Sequence, residues 1–144
     1  MVDFNHVVVP VDGSEGSKRA VHFAARLAHA TRCPLKLMHV CPATATTVTG
    51  LARLSRDEVE KALKASSREA FDKVQDAQPA EAEKPEEIVV LGDPAEEILG
   101  YIEQHPDALV VMGRRGLSRL GALLVGSVSE KVARHSRGAV TLVG

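Results

Sequence analysis

Three features of the sequence predict a three-layer, doubly wound α/β fold on a five-stranded parallel sheet. Five short apolar runs recur: HVVVPV (6–11), LKLMHV (35–40), EIVVL (87–91), ALVVMG (108–113) and AVTLV (139–143). Most are rich in β-branched residues and nearly continuous rather than alternating, as expected of strands buried on both faces. Helical patterns separate them, and strands alternating with helices imply right-handed crossovers and parallel pairing.

Each helix is legible from its spacing. Residues 14–31 place Ala20, Ala24, Leu27 and Ala28 on one stripe, and residues 51–76 do the same with Val59, Leu63, Ala70 and Val74. In 94–104, Ile98 and Ile102 lie one turn apart, as do Val128 and Val132 in 127–136. Steps of three and four put each set on one helix face. Asp93-Pro94 supplies a capping residue and a first-turn proline, and Glu96 and Glu97 suit the positive end of the helix dipole. The Thr-rich stretch 42–50 and the acidic, Pro-containing stretch 76–87 read as solvent loops within a single domain, 1–144. No internal repeat is evident.

Composition bounds the function. The chain has 144 residues, 44% hydrophobic and 26% charged, so it can bury a core without staples. With no Trp, one Tyr and three Phe, that core is aliphatic. A net charge of −1 gives no basic excess for nucleic acid or an acidic membrane surface. No apolar run approaches a membrane span, and MVDFNHVVVPVDGS lacks the basic start of a signal peptide. Cys33 and Cys41 show neither C-x-x-C nor metal-ligand spacing, which suits a cytoplasmic protein. The six histidines (6, 22, 29, 39, 105 and 135) form no close ligand pair and read as ordinary surface or core residues, with no metal site.

Open α/β sheets bind ligands beyond the carboxyl ends of their strands, where strand order reverses. Pro10, Val11 and Asp12 follow the first strand, Val40 and Cys41 the second, and Met112 and Gly113 the fourth. After Gly113 comes GRRGLSRLGALLVGS (113–127), with four glycines in fifteen residues. Gly113 and Gly116 allow a sharp turn with exposed N–H groups, and Gly126-Ser127 opens the last helix, whose N-terminus favours an anion. A loop of N–H groups facing a helix N-terminus can cradle phosphates, helped by Ser127, Ser129 and Arg114 or Arg115. The same residues fit a flexible connection, with Ser127 as a plain helix cap. Asp12 fits a ribose or adenine contact, a metal held by phosphates, or the turn of Asp-Gly-Ser. Neither the P-loop nor the dinucleotide fingerprint is present. VDGSEGS (11–17) has a loose likeness to the Ser-Gly-rich loop of ATP pyrophosphatases and reads better as a helix start.

Gly113-x2-Gly116-x9-Gly126-Ser127 resembles the nucleotide-binding signature of the ATP-binding branch of the universal stress protein family. The likeness covers the chain: HVVVPVDGSEGSKRAV, GDPAEEIL, and GSVSEKVARHS followed by AVTLV resemble the family's first strand and helix, third helix start, and closing elements. It implies a Rossmann-like, adenine nucleotide alpha hydrolase-like sheet of order 3-2-1-4-5. By the same likeness Pro10, Val11 and Asp12 would line the adenine and ribose side, and Val40 would contact adenine. Met112 and Gly113 would lie beside ribose and phosphates, with Arg115, Gly116, Gly126, Ser127, Val128 and Ser129 on the phosphates. The implied ligand is ATP, with ADP and AMP as alternatives and Mg²⁺ as an open companion. The resemblance also implies a homodimer through strand 139–143, an apolar edge that needs covering. The leading reading is a nucleotide-binding regulator of the stress response, with a protein partner the residues do not name. The alternatives are a slow ATPase or autophosphorylating enzyme, and a dimerisation module that leaves its pocket unused. No catalytic residue is assigned, because a P-loop lysine and a general base are missing.

Overall fold

A computed structural model describes residues 3–79, 82–115 and 125–144. The chain runs β1 (His6–Pro10), α1 (Glu15–Thr31), β2 (Leu35–Pro42), α2 (Ala45–Leu51), α3 (Arg56–Gln75), β3 (Glu86–Gly92), α4 (Pro94–Gln104), β4 (Ala108–Gly113), α5 (Ser127–His135) and β5 (Ala139–Val143). All four strand pairings are parallel, in the order β3-β2-β1-β4-β5, which is the predicted order.

The near-continuous apolar strands are explained by two cores, one on each face. Val7, Val9, Leu37 and Val111 face Ala20, Val21 and Ala24 of α1 and Phe71 and Val74 of α3. Val8, Met38, Val40, Val110 and Met112 face Ile98 and Ile102 of α4 and Val132 of α5. Burial of each Val, Leu or Ile contributes roughly 1.5–3 kcal/mol, so these two layers dominate stability. Small Ala side chains on α1 let it lie close to β1 and β4.

Helix ends follow their capping residues. The Ser14 hydroxyl caps α1 by accepting from Ser17 N at 3.1 Å, and the Asp93 carboxylate caps α4 by accepting from Glu96 N at 3.0 Å. Pro94 opens α4 as the spacing predicts.

Three expectations are corrected. The stretch 42–50 is not all loop: Thr44 caps a short helix, α2, by accepting from Thr47 N at 3.2 Å. That helix buries no residue, so it leaves no apolar period to detect. The predicted helix 51–76 instead starts at Arg56, because a capping box of Ser55 and Glu58 fixes its first turn. β3 also begins earlier than its apolar run. Only Glu86 is added, because its backbone pairs opposite Lys36 of β2; the Lys36 ammonium meets the Glu86 carboxylate, and Arg68 donates to Glu87 through two bonds of 2.8 and 2.7 Å.

His6 starts β1 at the amino end of the sheet and is buried. Asn5 Oδ1 only accepts, so His6 Nδ1–H donates to it at 2.6 Å, and Nε2 accepts from the Tyr101 hydroxyl at 2.8 Å. Burial, then the positive charge of Lys36 and neighbouring His105, hold its pKa below 6.5 against the opposing pull of Asp107 and Glu86. The unfolded chain therefore takes up this proton at a higher pH than the folded one. Stability should fall as pH drops through 6.5 toward the lower folded value. In urea titrations between pH 7.5 and 5.5, His6→Gln should show a shallower fall than wild type; equal slopes would place the pH sensitivity elsewhere.

Candidate functional site at the carboxyl end of the sheet

The site is built from the way central strand β1 ends. Along β1, Val7, Val9 and Val11 turn their backbone groups toward β2, and the even residues turn theirs toward β4. The β1–β4 register stops at Val8↔Val110, since Pro10 has no N–H to give Val111. On the other side, Val11 N still donates to Met38 O at 2.7 Å. The next rung, Val40 N–H to Val11 O, is absent from the described bonds.

Side chains take over several of the stranded backbone groups. Asp12 N donates to Ser17 Oγ at 3.0 Å, where a longer ladder would have used Gly113 O. Gly113 O instead accepts from the Ser129 hydroxyl at 2.7 Å. Val11 O accepts from His39 Nδ1–H at 2.7 Å. The N–H and C=O of Val40, both on the edge facing β1, receive no such substitute among the described residues. Strand divergence thus leaves the Val40 N–H and C=O side by side at the crevice wall, without a partner among the described residues.

The crevice between the parted strands has a volume of about 200 Å³. Its apolar wall is Pro10, Val11, Met38, Val40, Pro94, Ile98, Met112 and Val128. Its polar wall is Asp12, Ser14, Ser17, His39, Arg115, Ser127 and Ser129, with Gly113 and Gly126 supplying backbone. The Asp12 carboxylate accepts from Ser14 N at 3.0 Å and from Ser17 Oγ at 2.6 Å, so it organises the start of α1. Gly13 sits in that turn at φ +82°, where a side chain would be strained.

The start of α5 forms the opposite end. Gly126 is its N-cap, with no side-chain capping bond, so Ser127 is a first-turn residue and not the cap. The first intrahelical bond comes only at Glu130 N, to Gly126 O at 2.9 Å. The N–H groups of Ser127, Val128 and Ser129 precede that bond, and helix N-termini leave such donors without partners inside the helix. Gly126 N is held by Arg114 O at 2.7 Å, which brings α5 back to the end of β4. The Nε atoms of Arg114 and Arg115 are buried with no partner among the described residues, and Arg115 lines the crevice.

Of the twelve residues singled out from the sequence, Gly116 lies outside the described residues. The other eleven line the one crevice: Pro10, Val11, Asp12, Val40, Met112, Gly113, Arg115, Gly126, Ser127, Val128 and Ser129. Ser129 does so differently from expectation, because its hydroxyl proton goes to Gly113 O. Arg114 is not among the lining residues. Ser14, Ser17, Met38, His39, Pro94 and Ile98 line the crevice unanticipated. The S-x-x-S spacing of Ser14 and Ser17 was the available signal. Nothing local in the sequence sets His39 apart from the other histidines. No helix among the described residues is long and apolar enough to cross a membrane, and none of their His, Cys, Asp and Glu side chains form a group of three or more able to hold a metal.

Fold and crevice together define an open, doubly wound, Rossmann-like protein with its cavity at the point where strand order reverses. The chain belongs to the universal stress protein family, whose model matches residues 3–144. It is 32% identical over 146 residues to the universal stress protein YxiE of Bacillus subtilis, covering 97% of this chain and 99% of that one. A universal stress protein solved in complex with cAMP is 31% identical, with a TM-score of 0.64 and coverage of 98% and 97%. The fold is also that of UspA from Lactobacillus plantarum, 23% identical, TM-score 0.70, with full coverage of both chains.

Two glycines hold α1 against the end of β4. A Cβ on Gly113 would lie 2.7 Å from backbone atoms of Gly16, and a Cβ on Gly16 would overlap the carbonyl oxygen of Arg115. Gly16→Ala should therefore push α1 away from the crevice and cost about 1–3 kcal/mol by urea unfolding. Gly100→Ala, in the middle of α4 with nothing within 4 Å of the new methyl, should instead stabilise by about 0.5–1 kcal/mol. Equal effects would refute the close-approach argument.

Proposed function

We propose that this protein binds an adenine nucleotide in the crevice, with ATP as the physiological ligand. The observation that carries the reading is the pairing of two unlike recognition surfaces in one cavity. At one end an apolar slot finishes at the unpaired Val40 N–H and C=O, which match the acceptor and amino donor on the edge of adenine. At the other end the start of α5, whose N-cap Gly126 offers no side-chain bond, and the Arg115 Nε, without a partner among the described residues, suit phosphate. Asp12 and the glycines between them fit the ribose side. The 31%-identical relative solved with cAMP supports the same ligand class.

The family resemblance supports a homodimer paired through β5 and a regulatory role in the stress response of the cytoplasm, with residues 1–144 acting as one domain. Among the described residues β5 pairs with β4 alone, and the backbone of Val140 and Leu142 faces away from β4. We read the site as holding nucleotide without rapid turnover. Phosphoryl transfer needs a positioned base or water and charge neutralisation. The crevice carboxylate, Asp12, already accepts from Ser14 and Ser17.

Mass analysis of ligand released from freshly purified protein, with calorimetry of added ATP, tests the reading. Bound adenine nucleotide that survives long incubation is expected; no nucleotide and no heat on addition would overturn it. Arg115→Gln should weaken ATP about tenfold while leaving adenosine unchanged, as loss of one charge-assisted bond predicts. For the dimer, Val140→Pro removes an outward N–H and should give a monomer in sedimentation. An unchanged dimer would move the interface off β5.

A further inference from the structure

His39 stands where a backbone rung is missing. In the β1–β2 ladder the partner of Val11 O would be Val40 N–H, as the preceding rung from Val11 N to Met38 O shows. Instead Val11 O is taken by the His39 imidazole at 2.7 Å. A carbonyl can only accept, so Nδ1 carries the hydrogen. The ring is oriented edge-to-face against Phe71 of α3, with centroids 6.2 Å apart and planes at 73°. Its side chain belongs to the α1/α3 face of the sheet, opposite Met38 and Val40, yet it still lines the crevice.

We propose that His39 is a positioning residue that keeps the Val40 peptide edge open for a planar base by satisfying Val11 O in its place. Two arrangements compete for that carbonyl. With the imidazole bound, β1 departs after Val11 and the Val40 edge faces the crevice. Without it, Val11 O is a buried acceptor with a free donor two residues along β2. Burying an acceptor unsatisfied is unfavourable, so the ladder closes by one rung and the edge is lost. His39 need not touch the ligand, and its effect falls on the base alone. The inference rests on the nucleotide reading above, but the state of the rung can be measured without any ligand.

The test compares wild type with His39→Phe, which keeps a ring against Phe71 but has no donor, and His39→Asn, whose amide nitrogen can stand in for Nδ1. Amide exchange at Val40 in nucleotide-free protein should be fast in wild type and His39→Asn, and about tenfold slower in His39→Phe, as one gained backbone bond predicts. AMP affinity should fall about tenfold in His39→Phe and stay within about threefold of wild type in His39→Asn, while ribose 5-phosphate affinity is unchanged in both. If His39→Phe does not fold, His39→Gln serves, since its amide reaches the Nε2 position and should behave as Phe does. Slow Val40 exchange in wild type, or equal exchange and AMP affinity in all variants, would overturn the proposal. Absence of AMP binding by wild type, with the exchange contrast intact, would overturn the nucleotide reading and leave the rung substitution standing.

Discussion

A strand in the middle of a parallel sheet has hydrogen-bonded neighbours on both sides. When it leaves the sheet, each neighbour is left with backbone groups that must find other partners. β1 leaves twice, from β4 after Val8 because Pro10 lacks an N–H, and from β2 after Val11. The chemistry at the carboxyl end follows from how those groups are satisfied. Ser17, Ser129 and His39 take three of them. Among the groups left without a partner in the described residues is the edge of Val40, at the crevice wall.

This accounting gives otherwise unremarkable residues a shared purpose. Ser17 caps a backbone donor and also donates to the Asp12 carboxylate at 2.6 Å, so the turn into α1 and the end of β1 form one unit. Ser129 joins the first turn of α5 to Gly113, so the helix terminus that faces the crevice is fixed to β4. Gly16 and Gly113 bring α1 against the same strand end at backbone contact. The crevice is therefore framed by backbone on several sides, which allows little adjustment by side-chain rotation.

Stability and site formation are largely separate. The two aliphatic layers hold helices to the sheet along its length, whereas the crevice occupies only its carboxyl end. Most ion pairs lie on the outer faces of the helices, such as Lys64–Glu60 and Arg134–Glu130, where water screens them and they add little to stability. The amino end carries the His6–Tyr101 contact, far from the carboxyl end of the sheet.

The strand and helix succession, the parallel sheet and the residues at the strand ends can all be read from the amino-acid order. Those features depend on local periodicity and on short-range signals such as Asp93-Pro94 and the glycine spacing. Order 3-2-1-4-5 was legible only through the family resemblance, whereas Pro10, Val40 and Met112 could be placed near one another because parallel strands bring their carboxyl ends to one side of the sheet. α2 was not, since a helix with nothing buried carries no apolar period. The roles of His39, Ser17 and Ser129 were decided only in the tertiary structure. Each depends on which backbone group a departing strand leaves unpaired, and that is set by the register between strands distant in sequence.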